Sequence, residues 1–114
     1  MPEPRLGEFE ELVLLAILGL AEPETYAVPI QQRIAAYARP ATTLGSVYRT
    51  LSRLEHKGFV RSWRGEITRE KGGKRKRLYV VTGFGQTAVV ATREARRRLW
   101  EHAEVNPALQ QAGL

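Results

Sequence analysis

Cysteine and aspartate are both absent from this chain; all twelve of its acidic residues are glutamate, and it has only two histidines, His56 and His102. The lack of cysteine excludes a disulfide scaffold, thiolate zinc sites and a cysteine nucleophile together. With no aspartate and no glycine-rich phosphate loop between a strand and a helix, little remains from which to build an active site; the GKRKR run at 73–77 is not a Walker loop. His56 ends a basic helical pattern and His102 lies near a helix terminus, positions that suit solvated or capping roles. We therefore expect no enzyme, no cofactor and no metal site. The longest apolar run, LVLLAILGLA from Leu12 to Ala21, is about half the length of a bilayer span. No basic segment or small-residue cleavage site precedes it, so we expect neither a signal peptide nor membrane association, and a cytoplasmic location.

What is present describes one globular domain. The chain has 114 residues, 43% hydrophobic and 26% charged, enough for a single modest core. Its net charge is +6 and its pI near 10.2, with the excess strongly localised. Residues 1–30 carry six glutamates against Arg5 alone. Residues 46–77 carry eleven Lys and Arg against Glu55, Glu66 and Glu70, a local balance of +8. A concentrated basic field of this kind points to a polyanion, with nucleic acid favoured over a membrane surface because the cations divide between a helix and a hairpin.

The pattern along the chain gives the elements. GEFEELVLLAILGL opens with glutamates suited to the positive end of a helix dipole and is then apolar nearly all round, which calls for burial on two sides: its own core and a second subunit. A second helix is expected from an N-cap at Thr25, with Ile30, Ile34, Tyr37 and Ala38 on one face and Pro29 tolerated in the first turn, until Pro40 closes it. Thr42 or Thr43 can cap the third. In SVYRTLSRLEHKGFV, Val47, Leu51 and Leu54 form one stripe of that helix, which Gly58 ends. The opposite face of the same stretch holds Ser46, Arg49, Thr50, Arg53 and Lys57, three cations and no acid. Beyond Gly58 the period becomes alternating, and LYVVT at 78–82 supplies a partner strand, with the Gly72-Gly73 turn between them. Trp63 reads as hairpin and core packing. Thr82 caps a last helix from about Phe84 to Ala103, with a stripe of Ala88, Thr92, Ala95 and Leu99 beside Arg93, Arg96, Arg97 and Arg98, and Asn106-Pro107 ends it.

Three helices followed by a basic hairpin is the order of a winged helix-turn-helix, in which the third helix enters the major groove. The expected fold is mainly α with a small antiparallel β-hairpin and an additional C-terminal dimerisation helix. Residues 1–82 form the DNA-binding part, 83–105 the dimerisation helix packed on it, and 106–114 a frayed tail. Helix 46–57 supplies the candidate contacts: Ser46, Arg49, Thr50 and Arg53 to bases or phosphates, Tyr48 by its hydroxyl to phosphate, and Lys57 to phosphate or the helix dipole. The wing, 69–77, adds Lys71, Lys74, Arg75, Lys76 and Arg77, with Arg69 just before. The plainer alternative is that each is a solvated face. Against it, a generic surface helix mixes signs, and here two neighbouring basic sites coincide.

TLGSVYRTLSRLEHKGFV, a basic turn, RLYVVTGFGQ and a C-terminal helix together resemble the PadR family of transcriptional regulators. The matching positions are Gly45, Val47-Tyr48, Leu51, Leu54-Glu55, Gly58, Tyr79, Thr82 and Gly85. Arg49 departs from the family's frequent proline, and AVPI at 27–30 from its glycine-aromatic-glutamate turn. The resemblance implies a homodimer joined by the first and last helices, with two reading helices on a pseudo-palindromic site about one turn apart. It also implies repression of transcription, in some members released by an aromatic or drug-like effector at the dimer centre. Phe9, Leu12, Leu99 and Trp100 are the corresponding dimer-interface or effector residues. The competing reading keeps the winged fold but makes it a protein-interaction or RNA-binding module without operator recognition.

Overall fold

A computed structural model describes residues 5–67 and 75–108. The order is α1 (Glu8–Leu18), α2 (Ala27–Tyr37), α3 (Leu44–His56), β1 (Val60–Ile67), β2 (Arg75–Val81) and α4 (Gly83–Glu101). Among the described residues, these four helices and one antiparallel hairpin make up the expected winged helix with its C-terminal helix.

The core lies where α1, α2 and α3 converge and the hairpin root closes over them. Val13 and Leu14 of α1, Ile30 of α2, and Val47, Leu51 and Leu54 of α3 are all fully buried. The period-matched stripe of α3 is thus the side that holds this helix on the domain. Thr43 caps α3, its hydroxyl accepting from the Ser46 N–H at 3.1 Å. Thr82 does the same for α4 through Gly85 N–H, also at 3.1 Å. Gly58 ends α3 with φ of +82°, a backbone turn that other residues adopt only at a cost.

The second helix begins later than the sequence suggests. Its N-cap is Tyr26, not Thr25. Tyr26 is extended, and the carbonyl of Thr25 before it accepts the Tyr79 N–H of β2 at 2.9 Å, so the chain entering α2 is committed to the hairpin before it can turn helical.

The strands pair with Val60 opposite Val81, Ser62 opposite Tyr79, Trp63 opposite Leu78 and Arg64 opposite Arg77, with an irregularity between Arg64 and Ile67. Thr82 Oγ1 donates to the Gly58 carbonyl at 2.7 Å, fastening the end of β2 to the end of α3. Phe84 stacks on Phe59 with ring centroids 4.9 Å apart and seats α4 over that junction. Along α4 the predicted stripe passes from core to solvent: Ala88 is buried, Thr92 half-buried, and Ala95 and Leu99 exposed.

Candidate nucleic-acid interface

The outward face of α3 differs from its sequence pattern at one important position. Thr50 is only 2% exposed, on the core side, and its Oγ1 accepts from Arg53 Nη2 at 3.3 Å. It adjoins Leu51 and Leu54 in the packed interior, so the expectation that it contacts DNA is corrected: a buried hydroxyl cannot reach a groove. Tyr48 and Arg49 are exposed. Ser46 is half-buried, and its hydroxyl donates to the Thr43 carbonyl at 2.8 Å, reinforcing the cap.

The face with three cations and no acid receives an acid from elsewhere. Glu10 of α1 reaches Lys57 Nζ at 2.8 Å, with Arg53 Nε 4.0 Å from the same oxygen. Glu10 also accepts the Gly7 N–H at 2.8 Å through its other oxygen. Burial pushes its carboxyl upward in pKa, but the Lys57 hydrogen bond, the Gly7 N–H and the charges of Lys57 and Arg53 outweigh that, leaving it below the ordinary value. Lys57 therefore ties α3 to α1, a different duty from the phosphate or dipole contact expected of it. Arg53 keeps an exposed side chain and lies at the edge of this pair.

The hairpin cations also divide. Arg77 Nη1 donates to Ser62 Oγ at 3.0 Å, and that hydroxyl donates to Glu55 Oε2 at 2.5 Å, so Arg77 lies on the side of the hairpin that borders the end of α3. The neighbouring Tyr79 phenol has its pKa raised, chiefly by burial and further by the charge of Glu55. Lys76, one residue earlier, takes the other side and stands 5.3 Å from the centre of the Tyr26 ring. Arg75 opens β2, exposed. Arg69, Lys71 and Lys74 lie outside the described residues.

On the remaining face, Phe9 and Leu12 are half-buried on α1, with Arg39 5.6 Å over the Phe9 ring. Leu99 and Trp100, on the last turns of α4, are 74% and 65% exposed. Leu15 and Leu18 of α1 are exposed too. The α4 arginines are partly neutralised: Arg96 pairs with buried Glu11 at 2.8 Å, and Arg97 with Glu94 at 2.9 Å and with Glu101.

Glu10 and Glu11, which the sequence places only at the positive end of a helix dipole, are buried and each holds a basic partner, Lys57 and Arg96. Two consecutive glutamates directly before the apolar run of α1 are the sequence signal that could have flagged them, since such groups require partners when the helix is buried nearly all round.

An exposed helix face beside a basic hairpin, on a tightly packed three-helix core, defines a winged-helix protein. The sequence profile described as the transcriptional regulator PadR-like family matches residues 14–91, and the chain belongs to that family. Among solved structures, the fold is similar to a PadR-like transcription factor from Bacteroides fragilis, with a TM-score of 0.67, 23% identity, and coverage of 82% of this chain and 84% of that one. It is similar as well to a structure described as the complex of hsRosR-S4, at TM-score 0.61 and 20% identity, covering 95% and 84%. A transcriptional regulator from Thermoplasma acidophilum matches at TM-score 0.58 and 19% identity, over 83% and 93%. No curated protein matches the chain. Among the described residues no helix is long and apolar enough to cross a membrane.

Proposed function

We propose that the chain is a homodimeric, sequence-specific DNA-binding repressor, with residues 1–82 gripping the duplex and 83–105 joining the subunits. The observation that carries this reading is the two-sidedness of α3: Val47, Leu51 and Leu54 are fully buried while Tyr48, Arg49 and Arg53 point outward. A helix held so firmly on one side, with cations on the other, suits insertion into a major groove. In this assignment Arg49 is the leading base reader. Tyr48 and Arg53 hold phosphate, Ser46 places the first turn of α3 against the backbone, and the wing (Lys71, Lys74, Arg75, Lys76, Arg77) adds non-specific grip. Lys57 serves mainly to seat α3. Leu15 and Leu18, with Leu99 and Trp100 of α4, supply apolar surface for the subunit contact, and an aromatic effector at that contact remains part of the reading.

Fluorescence anisotropy with a duplex selected from genomic fragments tests it. Log K should fall with log salt by about 0.9 per phosphate neutralised, and the chosen site should be preferred over random duplex by about a thousandfold or more. Equal affinity for random duplex, or a preference for RNA, would favour an RNA-binding or protein-interaction module.

A further inference from the structure

One turn of α1 holds both helices on which the proposed function depends. Glu10 and Glu11 are consecutive, so their side chains leave the helix about 100° apart. Glu10 reaches Lys57 Nζ, at the C-cap of α3, and Glu11 reaches Arg96 Nη2 of α4, each at 2.8 Å. Both glutamates are buried, at 5% and 7% exposure. A carboxylate so enclosed cannot exchange its cation for water without leaving a buried charge unpaired, so each pair fixes a direction as well as a distance. Apart from the longer Arg53 contact to Glu10, the other ion pairs among the described residues do less: Glu8–Arg39 is exposed on both sides, and those of Arg93 and Arg97 lie within α4, where they cannot orient one helix against another.

The path of α4 makes the second pair decisive. At its start this helix is pinned to the α3–β1 junction: Phe84 stacks on Phe59, and a Cβ at Gly85 would stand 2.2 Å from the Phe59 carbonyl oxygen. Its buried residues, Gly85, Ala88 and Val89, all fall in the first two turns. Beyond them, among the described residues, the bond from Arg96 to Glu11 is the one ion pair or side-chain hydrogen bond that ties α4 to another element. Arg96 stands about 16 Å along the axis from Gly85, and Leu99 about 21 Å. A helix pinned at one end and tied once farther on is a lever. A swing of about 10° around Gly85 moves Leu99 and Trp100 by about 4 Å, close to the roughly 3.4 Å between successive base pairs.

We propose that Glu11 and Arg96 are positioning residues that set the half-site spacing the dimer accepts, an inference that rests on the dimeric DNA-binding reading above. Glu10 fixes the reading helix on α1, Glu11 fixes α4 on the same turn, and the subunit contact at the end of α4 then stands at one distance from α3. Neither Glu11 nor Arg96 touches the duplex. They act through the angle of α4.

The test is a set of duplexes that carry the selected half-site as an inverted repeat, with the spacer lengthened or shortened one base pair at a time, titrated by anisotropy with the full chain. The readout is the ratio of affinities between the best spacing and its neighbours. Overall charge and folded fraction affect every duplex alike, so a merely structural role does not move that ratio. The parent should prefer one spacing by about tenfold. Glu11→Gln, which leaves no buried charge without a partner, and Arg96→Met should each reduce the ratio to about twofold. The double variant should reduce it no further, since both changes remove the same bond. Arg97→Gln, which breaks ion pairs inside α4, should keep the parent's ratio. A ratio kept by either single variant, a further drop in the double variant, or an equal loss in Arg97→Gln overturns the proposal while the dimeric reading stands. A parent chain without any spacing preference overturns both.

Discussion

Lys57 Nζ lies 2.8 Å from Glu10 Oε2, joining the end of α3 to the first turn of α1 across 47 positions of sequence. The Glu10 side chain is only 7% exposed. Lys57→Met strips this carboxylate of its nearest cation, and urea unfolding should show a loss of about 1–3 kcal/mol, the cost of a broken hydrogen bond to a charged group. The half-exposed lysine keeps that loss below the cost of breaking a fully enclosed pair.

The same pair sets an acid limit. Because the Glu10 pKa is depressed in the folded chain, its contribution to stability is fully present above its unfolded value, near 4.5, and disappears as pH falls through the lower folded value. Stability measured from pH 7 down to 3 should therefore decline less steeply below about pH 4.5 in Glu10→Gln than in the parent, although the variant starts lower. Identical acid slopes would show that Glu10 titrates alike in both states.

Gly58 and Gly85 should fail differently on substitution. Nothing stands within 4 Å of a Cβ added at Gly58, so Gly58→Ala costs only the strain of φ +82°, about 1 kcal/mol. At Gly85 a Cβ would stand 2.2 Å from the Phe59 carbonyl oxygen, and relieving that clash requires α4 to move off the α3–β1 junction. Thermal unfolding should show Gly85→Ala losing about 3 kcal/mol or more, the upper range for overpacking.

On α3, Arg49 is exposed while its neighbour Thr50 is buried. If Arg49 reads a base, Arg49→Ala should weaken the selected duplex by about 1–3 kcal/mol and relax preference at a single position. Thr50→Val should leave the salt slope intact and change affinity by less than about 1 kcal/mol, as expected for a side chain away from the contact.

Much of this was readable beforehand, because local periodicity and caps carry their own physics. The spacing of Val47, Leu51 and Leu54, the caps at Thr43 and Thr82, and the glycine ending α3 all depend on residues within a turn or two of one another. Thr50 was misplaced for a related reason: on a helical wheel it lies at the boundary of the two faces, and its hydroxyl argued for solvent. Which side it takes is decided by how α3 rolls on α1 and α2, a tertiary matter. Thr25 lost its capping role to a backbone bond with Tyr79, 54 positions away. Glu10 seeking Lys57, and Lys76 turning toward Tyr26 while Arg77 turns toward Ser62, are likewise consequences of packing that composition does not encode.

The proposed subunit contact gives another test. Leu99→Glu with Trp100→Glu places charge on side chains that are mostly exposed within one chain, so folding of the monomer should be spared. Sedimentation equilibrium should then show dissociation at concentrations where the parent is dimeric, and affinity for a two-half-site duplex should fall while that for one half-site persists. An unchanged mass would remove α4 from the subunit contact.

The bond from Tyr79 N–H to the Thr25 carbonyl bears on more than the start of α2. A two-stranded ribbon has two open borders, each able to recruit a foreign strand. On the β2 side that invitation is withdrawn near the root, where the chain entering α2 already occupies the main-chain donor. Copies of this protein are thus discouraged from zipping together along their sheets at that border.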